Sequence, residues 1–496
     1  MLSRWRELFT NHIWRDRLII LVLIVGGLIW LDKINIRSWF FDDSFFGYTY
    51  AKNILAGNGF TFNGSHVLGT SAPLPVILYV IFGFIWKLFS GQADIKLVAE
   101  TISIAAIVLT SIQTYVLVRQ LGRSVLAALT AGIFVYVNVL YLMMFGHESL
   151  LAVLGILVAL SLALRGRFIL SALVASAAFL CRGESVVILP LLLLLFWRAR
   201  QNDSVRIKLR ELVPIGVAFV APLALWFGYS EIAFGQLSSN SMSFKILQST
   251  IANDNFLRGF GDWLKLVMFG SLWGKLTALL AVIALARSTR NSIFLWLTIL
   301  LLLLPIALYN FIDISFYHWF LFLPVAWLPL AIGFSMDEML EHFNSGNNQL
   351  APWANGLAVF IVAAVLLLWG HDRILEQANG QPYPRDVLYQ TIGRDLNQVM
   401  PSGTSVAYME IGAIAYYSER PIVDTIGIVS PGVLDALRQN DPFFAFRTFE
   451  PDYILYDKAF GWLADPTKWD QFTPNYTYVK TYNDPKYRPI DLYKRK

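Results

Sequence analysis

Residues 18–31 read LIILVLIVGGLIWL, and this apolar run decides the class of fold. With the stems of Arg17 and Lys33, the run approaches the roughly 20 residues that a helix needs to cross a bilayer. A cleavable signal peptide would end in small residues, whereas the sequence here continues Trp30-Leu31-Asp32-Lys33. The run therefore predicts an uncleaved transmembrane helix with the arginine-rich N-terminus in the cytoplasm.

The same pattern recurs along most of the chain. Of the 496 residues, 56% are hydrophobic and 15% are charged, below the roughly 25% charged content of soluble domains. Apolar runs suited to spanning lie at 18–31, 95–118, 124–144, 148–164, 168–181, 185–197, 212–233, 262–286, 292–309, 317–334 and 353–370. Residues 1–370 are therefore predicted to form an all-α membrane bundle of about eleven transmembrane helices, within a range of about 10 to 13. Lysine and arginine in cytoplasmic loops account for the net charge of +5, so membrane lipids and no nucleic acid are the expected surroundings.

Residues 73–90, PLPVILYVIFGFIWKLFS, form a further apolar segment that would reverse every later orientation if it crossed the membrane. Pro73 and Pro75 stand at its head, and Lys87 lies near its end. These features favour an interfacial or re-entrant helix on the outer side.

The composition changes after Trp369 to that of a soluble domain. DVLYQTIGRDLNQVM is typical of a helix, and SVAYMEIG, PIVDTIGI and PDYILYD are typical of short strands. Residues 371–496 are therefore predicted to form a small α/β domain outside the cytoplasm.

The adjacent carboxylates Asp42 and Asp43 lie in the first external loop, residues 32–72. The loop is rich in aromatic residues, which argues against disorder, and long loops in compact folds are usually functional. Burial and mutual repulsion would raise the pKa of one carboxylate toward that of a useful general base. The alternative is that one of the two simply caps the helix SFFGYTYAKNILAG, which needs no catalysis.

Several other polar residues are placed on the same side of the membrane by the predicted topology. They include the break Arg182-Gly183-Glu184, which interrupts the apolar stretch 168–197 and indicates two short helices that meet at a polar vestibule. The others are His147, Glu148, Asn240, Lys245 and His318. Interfacial anchoring and an internal Arg182–Glu184 pair are the structural alternatives. Carboxylates beside cations are nevertheless what a site needs to bind a phosphorylated ligand and deprotonate a hydroxyl.

Motifs of soluble enzymes do not compete with this hypothesis. Walker, HExxH, CxxC and GxSxG patterns are absent, and the glycines of GNGFTFNG are typical of turns. The single cysteine, Cys181, excludes an internal disulfide and is expected to be a small buried hydrophobe.

The stretch DDSFFGYTYAKNILAGNGFTFNGSHVLGTSAPL resembles the first external loop of bacterial GT-C glycosyltransferases, most of all the branch of the mycobacterial terminal arabinofuranosyltransferase. The matching residues are Asp42, Asp43, Ser44, Phe45, Tyr50, Ala51, Asn53, Leu55, Gly57, Gly59, Asn63, Gly69, Thr70, Ser71, Pro73 and Leu74. Further matches are Gly146-His147-Glu148-Ser149, Arg182-Gly183-Glu184, the stretch from Phe234 through Asn240 to Lys245, and EIGAIAYYSERPIVDTIGIVSP in the last domain. Thr49 and Gly183 depart from the family pattern, which has Arg and Pro there.

This resemblance implies an integral enzyme of the bacterial inner (plasma) membrane that takes a sugar from a polyprenyl-phosphate donor. The acceptor would be a hydroxyl of a glycan or lipid of the cell envelope, and the transfer would invert the anomeric carbon. Asp42 is expected to be the general base, and Asp43 to orient the acceptor or hold a divalent cation such as Mg²⁺, Mn²⁺ or Ca²⁺. Three residues are expected at the leaving phosphate: Arg182, Lys245 and His318. Five are expected to support these groups or touch substrate: Glu148, Glu184, Asn240, Tyr50 and His66.

Alternatives of other kinds remain at this point. A protein O-mannosyltransferase or an outer-membrane-lipid sugar transferase would share the fold but would label protein or lipid instead of a polysaccharide. A lipid-linked sugar transporter or flippase would usually show paired repeats, and the sequence has no second half. A surface receptor would not need so many spans.

Overall fold

The computed structural model describes residues 12–201, 209–252, 255–265, 270, 272–288, 291–344, 384–460 and 465–496. The predicted span at 353–370 and the predicted domain boundary after residue 370 lie outside these ranges.

The described part of residues 12–344 is almost entirely helical. Its main helices are α1 (His12–Lys33), α2 (Ser44–Leu55), α3 (Pro73–Ser90), α4 (Ile95–Gln120), α5 (Val125–Val137), α6 (Ser149–Leu164), α7 (Phe168–Cys181), α8 (Leu189–Gln201), α9 (Leu209–Phe234), α10 (Asn240–Ala252), α11 (Phe256–Leu264), α12 (Leu272–Arg287), α13 (Ser292–Ile312) and α14 (Phe322–Asn344). Within α13, Ile299–Leu303 form a π-helical stretch.

Five helices of the described ranges are long and apolar enough to cross a membrane: Pro73–Ser90, Ile95–Gln120, Arg210–Phe234, Ser292–Ile312 and His318–Glu341. Three shorter helices, α5, α6 and α7, are also apolar. The mostly helical bundle agrees with the predicted fold class, whereas the number of about eleven transmembrane helices stays a prediction.

Contacts between α1 and α4 define the two ends of the bundle. At one end, the Tyr115 hydroxyl of α4 donates to Asp16 of α1 at 2.7 Å. At the other end, Arg37 follows α1 and lies 3.5 Å from Glu100, near the start of α4. The two helices are therefore antiparallel, and each runs the length of the bundle. The end that carries Arg37 is called the outer end below.

Helix α3 has both of its ends near the outer end of the bundle. It begins beside the first loop, where Val76 and the Tyr79 ring come close to Gly47 of α2. It leads through a short turn into α4, whose Lys96 lies over the ring of Phe40 at 4.8 Å, beyond the end of α1. The length and composition of residues 73–90 would allow them to cross a membrane, so their interfacial or re-entrant placement stays a prediction. The orientation itself stays a prediction.

The break at Arg182 joins α7 to α8. A 3₁₀ stretch, Gly183–Ile188, reverses the chain at the outer end. The far end of α8 contacts the start of α13, where Arg198 donates to the Ser292 hydroxyl at 2.9 Å. Two short helices meet at a polar break here, as the sequence predicts.

The described part of residues 384–496 forms an α/β domain, as predicted. Its main helices are α15 (Pro384–Val399), α16 (Gly412–Ser418), α17 (Val433–Arg438) and α18 (Phe444–Phe449), and its strands are β1 (Val406–Tyr408), β2 (Ile422–Asp424), β3 (Tyr453–Tyr456), β4 (Tyr476–Asp484) and β5 (Tyr487–Arg495). The sheet has the order β2-β1-β3-β5-β4. Strand β1 is parallel to β2 and β3, whereas β5 is antiparallel to β3 and β4.

This domain docks on the first external loop. Asn63 donates to the Ile422 carbonyl at 3.0 Å, and the Ser65 hydroxyl donates to the Val429 carbonyl at 2.7 Å. Lys52 of α2 forms an ion pair with Glu419 at the end of α16. The domain is therefore held directly above the loop that carries Asp42 and Asp43.

Candidate active site

A cavity of about 600 Å³ lies between the outer end of the bundle and the C-terminal domain. Its walls come from the first loop, the start of α6, the break after α7, the start of α10, residues 317–320 and the C-terminal domain. The predicted site residues that line it are Asp42, Asp43, Glu148, Arg182, Glu184 and Lys245. The structure thus brings together six residues that are spread over about 200 positions of the sequence.

Asp42 is buried, with 2% of its surface exposed. Its two carboxylate oxygens accept hydrogen bonds from the backbone N–H groups of Gly412, at 3.1 Å, and Ala413, at 2.7 Å. Burial, and next the charge of Glu410, raise the pKa of Asp42 well above its ordinary value. Asp42 therefore ties the first loop to the start of α16.

Asp43 has a different environment. It stands at the N-cap position of α2, but its backbone is already helical, and its side chain makes no capping hydrogen bond. The capping alternative therefore does not explain this residue. Asp43 is half-buried and faces the cavity, where its carboxylate is free to meet a ligand.

Glu410 brings a third carboxylate to the pair. One oxygen from each of Asp42, Asp43 and Glu410 lies within 4.8 Å of the others. Carboxylate oxygens are the ligands that Mg²⁺, Mn²⁺ and Ca²⁺ prefer, so these residues fit the divalent cation that the sequence resemblance allows. Both oxygens of Asp42 already accept backbone bonds, which leaves Asp43 and Glu410 as the freer ligands.

Arg182 lies at another wall of the cavity and is held by two carboxylates. It donates to Glu184 at 2.7 Å and to Glu148 at 3.4 Å. The Tyr309 hydroxyl also donates to Glu184, at 2.7 Å. The guanidinium is thus fixed in place, and its charge is largely matched before any ligand binds.

Lys245 carries the cavity's available positive charge. Its amine lies 3.5 Å from the centre of the Tyr317 ring and 5.7 Å from that of Trp319. Burial opposes its charge, but Tyr317 and Asp43 outweigh this effect and raise the pKa of Lys245. No carboxylate of the described residues lies within the 4.0 Å of an ion pair with it, so this charge can serve an anionic ligand.

The two histidines differ in position. His147 lines the cavity, with its Nε2 3.2 Å from Glu148. Burial, and next the charge of Arg182, lower the pKa of His147 well below its ordinary value, so the ring is neutral. His318 does not line the cavity. Its ring packs at 5.6 Å from that of Phe41 and at 4.9 Å from that of Trp319, behind the cavity wall.

Three further predicted residues are not brought to the cavity wall. Tyr50 is buried, and its hydroxyl accepts the N–H of Gly69 at 3.1 Å. Asn240 donates to the carbonyl of Gly427 at 2.9 Å, which links α10 to the C-terminal domain. His66 is exposed. Packing and domain docking account for the first two, and substrate contact by any of the three stays an untested prediction.

One wall of the cavity is apolar. It is lined by Phe179, Leu180, Trp226, Phe227 and Leu237. Helix α9, which carries two of these residues, has none of its spanning window buried, and its Ile232 is 89% exposed. The apolar wall therefore continues into a helix that faces away from the protein, as a lipid-facing helix does.

Two cavity residues were missed by reasoning from the sequence. Arg385 lies in the first turn of α15, while Glu410 follows β1, and both line the cavity. Glu410 begins the stretch EIGAIAYY, which carries the family resemblance, but neither residue stands out by spacing. Their position depends on how the C-terminal domain docks.

Comparisons with known proteins show the fold. The structure of the oligosaccharyltransferase AglB from Archaeoglobus fulgidus, in complex with an inhibitory peptide and a dolichol-phosphate, matches with a TM-score of 0.57 and 13% identity, over 97% of this chain and 74% of that one. ArnT from Cupriavidus metallidurans, bound to undecaprenyl phosphate, matches with a TM-score of 0.61 and 13% identity, over 95% of this chain and 97% of that one. The chain therefore has the fold of these two proteins, in agreement with the predicted GT-C architecture.

Comparisons of sequence do not indicate a function for the chain. Residues 375–493 match a family model described as a domain of unknown function, DUF8728. No curated protein sequence matches the chain. The arabinofuranosyltransferase branch stays a prediction from the resemblance of motifs.

Proposed function

We propose that this protein is an inverting glycosyltransferase that moves a sugar from a polyprenyl-phosphate donor to a hydroxyl of a cell-envelope glycan or lipid at the outer face of the membrane. One observation carries the proposal. A single cavity joins an available cation, Lys245, to a group of carboxylates and to an apolar wall that continues into a membrane-facing helix.

The donor fits the cavity by its chemistry. Its lipid chain would lie along the apolar wall of Phe179, Trp226 and Phe227, and its phosphate would meet Lys245. AglB and ArnT, which share the fold, were captured with dolichol-phosphate and undecaprenyl phosphate respectively. These ligands support a lipid-phosphate donor here.

The reaction is a single displacement. The acceptor oxygen attacks the anomeric carbon while a carboxylate takes the hydroxyl proton, and the bond from that carbon to the phosphate oxygen breaks with its electron pair on the phosphate. Lys245 stabilises the charge that develops on the leaving phosphate, and Arg182 adds a fixed positive field. Attack opposite the leaving group inverts the anomeric carbon.

Asp43 is our choice for the general base, in place of Asp42. Asp43 faces the cavity and has no capping bond, whereas both oxygens of Asp42 are engaged by backbone N–H groups. Asp42 would instead position the loop. A divalent cation held by Asp43 and Glu410, when bound, would supply positive charge near the developing charge of the reaction.

The test is turnover by the full chain in nanodiscs. Radiolabelled undecaprenyl-phosphate donors that carry arabinofuranose, mannose or glucose are supplied with a membrane extract as acceptor, and released undecaprenyl phosphate is measured. Asp43→Asn should lower the rate by about 10²–10⁴-fold, as loss of a general base does. Lys245→Met should lower it by about 10²-fold, as loss of one stabilising group does.

Lys265→Met is the matched control, since this lysine is 78% exposed and does not line the cavity. Release of lipid phosphate from none of the donors would refute the proposal, and full activity of Asp43→Asn would refute the choice of base.

A peptide acceptor is the second candidate, because AglB was captured with an inhibitory peptide. The same assay separates the two, since label would then appear in protein and not in glycan or lipid. Label that crosses the bilayer without release of lipid phosphate would indicate a flippase.

A further inference from the structure

The C-terminal domain contributes two charged side chains to the wall of the cavity. Glu410 follows β1 with 21% of its side chain exposed, and Arg385 begins α15 with 31% exposed. Both line the same cavity as Asp43. The domain therefore forms part of the site.

Arg385 is committed to carboxylates of its own domain. Its guanidinium lies 3.0 Å from Asp386, which is 1% exposed, and 3.8 Å from Glu410. Asp42 and Asp43 each bring a carboxylate oxygen within 4.8 Å of one of Glu410. The three carboxyl groups of Asp42, Asp43 and Glu410 therefore have one guanidinium beside them, Arg385, which is also paired with Asp386.

The cavity wall also holds positive charge. Lys245 has no carboxylate within ion-pair distance among the described residues, and Arg182 is paired with Glu184 and Glu148. A donor phosphate would neutralise Lys245 on binding. The charge that an acceptor meets is then set by the C-terminal domain and the Asp42-Asp43 pair.

We propose that Glu410, held by Arg385, selects the acceptor by charge: the site takes a neutral or cationic hydroxyl compound and rejects an anionic one such as a uronic acid. This proposal rests on the function proposed above. With no divalent cation bound there, an anionic acceptor beside Asp43 and Glu410 would bring like charges together in a partly buried site, which is costly.

The experiment measures binding without turnover. The full chain in nanodiscs, with divalent cations removed by EDTA, is saturated with undecaprenyl phosphate, so that an anion already occupies Lys245. Saturation-transfer NMR then compares methyl β-glucoside, its cationic 2-amino analogue and methyl β-glucuronide. The glucuronide should bind at least about tenfold more weakly than the other two.

Variants test whether Glu410 causes the difference in affinity between the neutral and the anionic sugar. Glu410→Gln should reduce the difference between glucoside and glucuronide by at least about threefold. Glu410→Asp, which keeps the charge, should preserve the difference. Glu450→Gln, a glutamate of the same domain with 71% exposure, is the matched control and should change nothing.

Three results would overturn the proposal. The first is equal binding of the glucuronide and the glucoside, and the second is no binding of any of the three compounds. The third is a difference in affinity between glucoside and glucuronide that Glu410→Gln leaves unchanged. Failure of the proposed function would look different, because undecaprenyl phosphate would then be released from none of the labelled donors.

Discussion

Asp42 and Asp43 are neighbours in the sequence, yet the structure gives them different environments. Asp42 is enclosed and accepts two backbone hydrogen bonds from Gly412 and Ala413, whereas Asp43 faces the cavity. One side chain therefore serves the assembly of the site, and the other is available for chemistry.

The two roles can be separated by the variants Asp42→Asn and Asp43→Asn. Asp42→Asn leaves one backbone N–H without an acceptor, which costs about 1–3 kcal/mol, so we expect lower thermal stability together with lower activity. Asp43→Asn should lower activity without lowering stability. Thermal unfolding in nanodiscs and donor turnover are measured on both, and equal stability of the two variants would contradict this division.

The sequence predicted part of this site at the level of residues. Topology alone placed Asp43, Glu148, Arg182, Glu184 and Lys245 on one side of the membrane, and the structure places them in one cavity. Arg385 and Glu410 could not be predicted in this way. Their position depends on contacts between segments about 370 residues apart, which leave no local pattern.

At the scale of elements, long apolar runs were the most predictable feature, because burial in lipid imposes the same composition on every residue of a span. Strands β1, β2 and β3 were predicted for a similar reason, since they are short and fully buried. The hairpin of β4 and β5 was missed. Its strand β4 is largely exposed and polar, so it lacks a hydrophobic signal.

Helix α16 docks through its first residue. A side-chain carbon at Gly412 would overlap the backbone carbonyl of Asp42, which cannot move aside as a flexible side chain can. We expect Gly412→Ala to displace α16 from the first loop, to lower activity by at least about tenfold and to speed proteolysis of the C-terminal domain. Gly228→Ala is the control, since nothing lies within 4 Å of a carbon added there. Equal activity and equal rates of proteolysis in Gly412→Ala and Gly228→Ala would contradict the role of this contact in docking.

We expect the folding stability of the protein to depend on pH because of Asp386 in helix α15. Burial raises the pKa of this carboxyl from its ordinary 3.8 to about 6. Between these values the folded chain holds a proton that the unfolded chain releases. The stability from this group is therefore complete below pH 3.8 and is lost as the pH rises through about 6.

The measurement is the thermal midpoint of the full chain between about pH 4 and pH 7. Asp386→Asn should reduce the fall of the thermal midpoint with rising pH. Part of this fall should remain, because the raised pKa of Asp42 acts in the same direction. Asp435→Asn, at a side chain with 72% exposure, should leave the decline unchanged. Parallel profiles of wild type and Asp386→Asn would exclude this role for Asp386.

At the scale of the whole molecule, the structure shows which helix ends lie together, and the orientation of the chain in the membrane stays a prediction. The single native cysteine is buried, so introduced cysteines can be labelled with little background. We expect Gln92→Cys, after α3, and Val479→Cys, in β4, to react from outside intact cells with a membrane-impermeant maleimide. Arg165→Cys, at the far end of α6, should react only after the cells are opened.

Protection of Gln92→Cys from outside would mean that α3 crosses the membrane, and every later helix would then be inverted. All three positions are exposed in the folded chain, so a lack of reaction cannot come from burial in the protein.

The bond between Asp42 and the start of α16 also has a consequence for biosynthesis. Its two partners are 370 residues apart. In the proposed orientation, the first loop is therefore exported long before the segment that holds its carboxylate is translated. Until the last quarter of the chain reaches the outer face and folds, the nascent protein can offer Lys245 to lipid phosphate but lacks Arg385 and Glu410. We therefore expect incomplete chains to be inactive, so that glycosyl transfer begins only when export is finished.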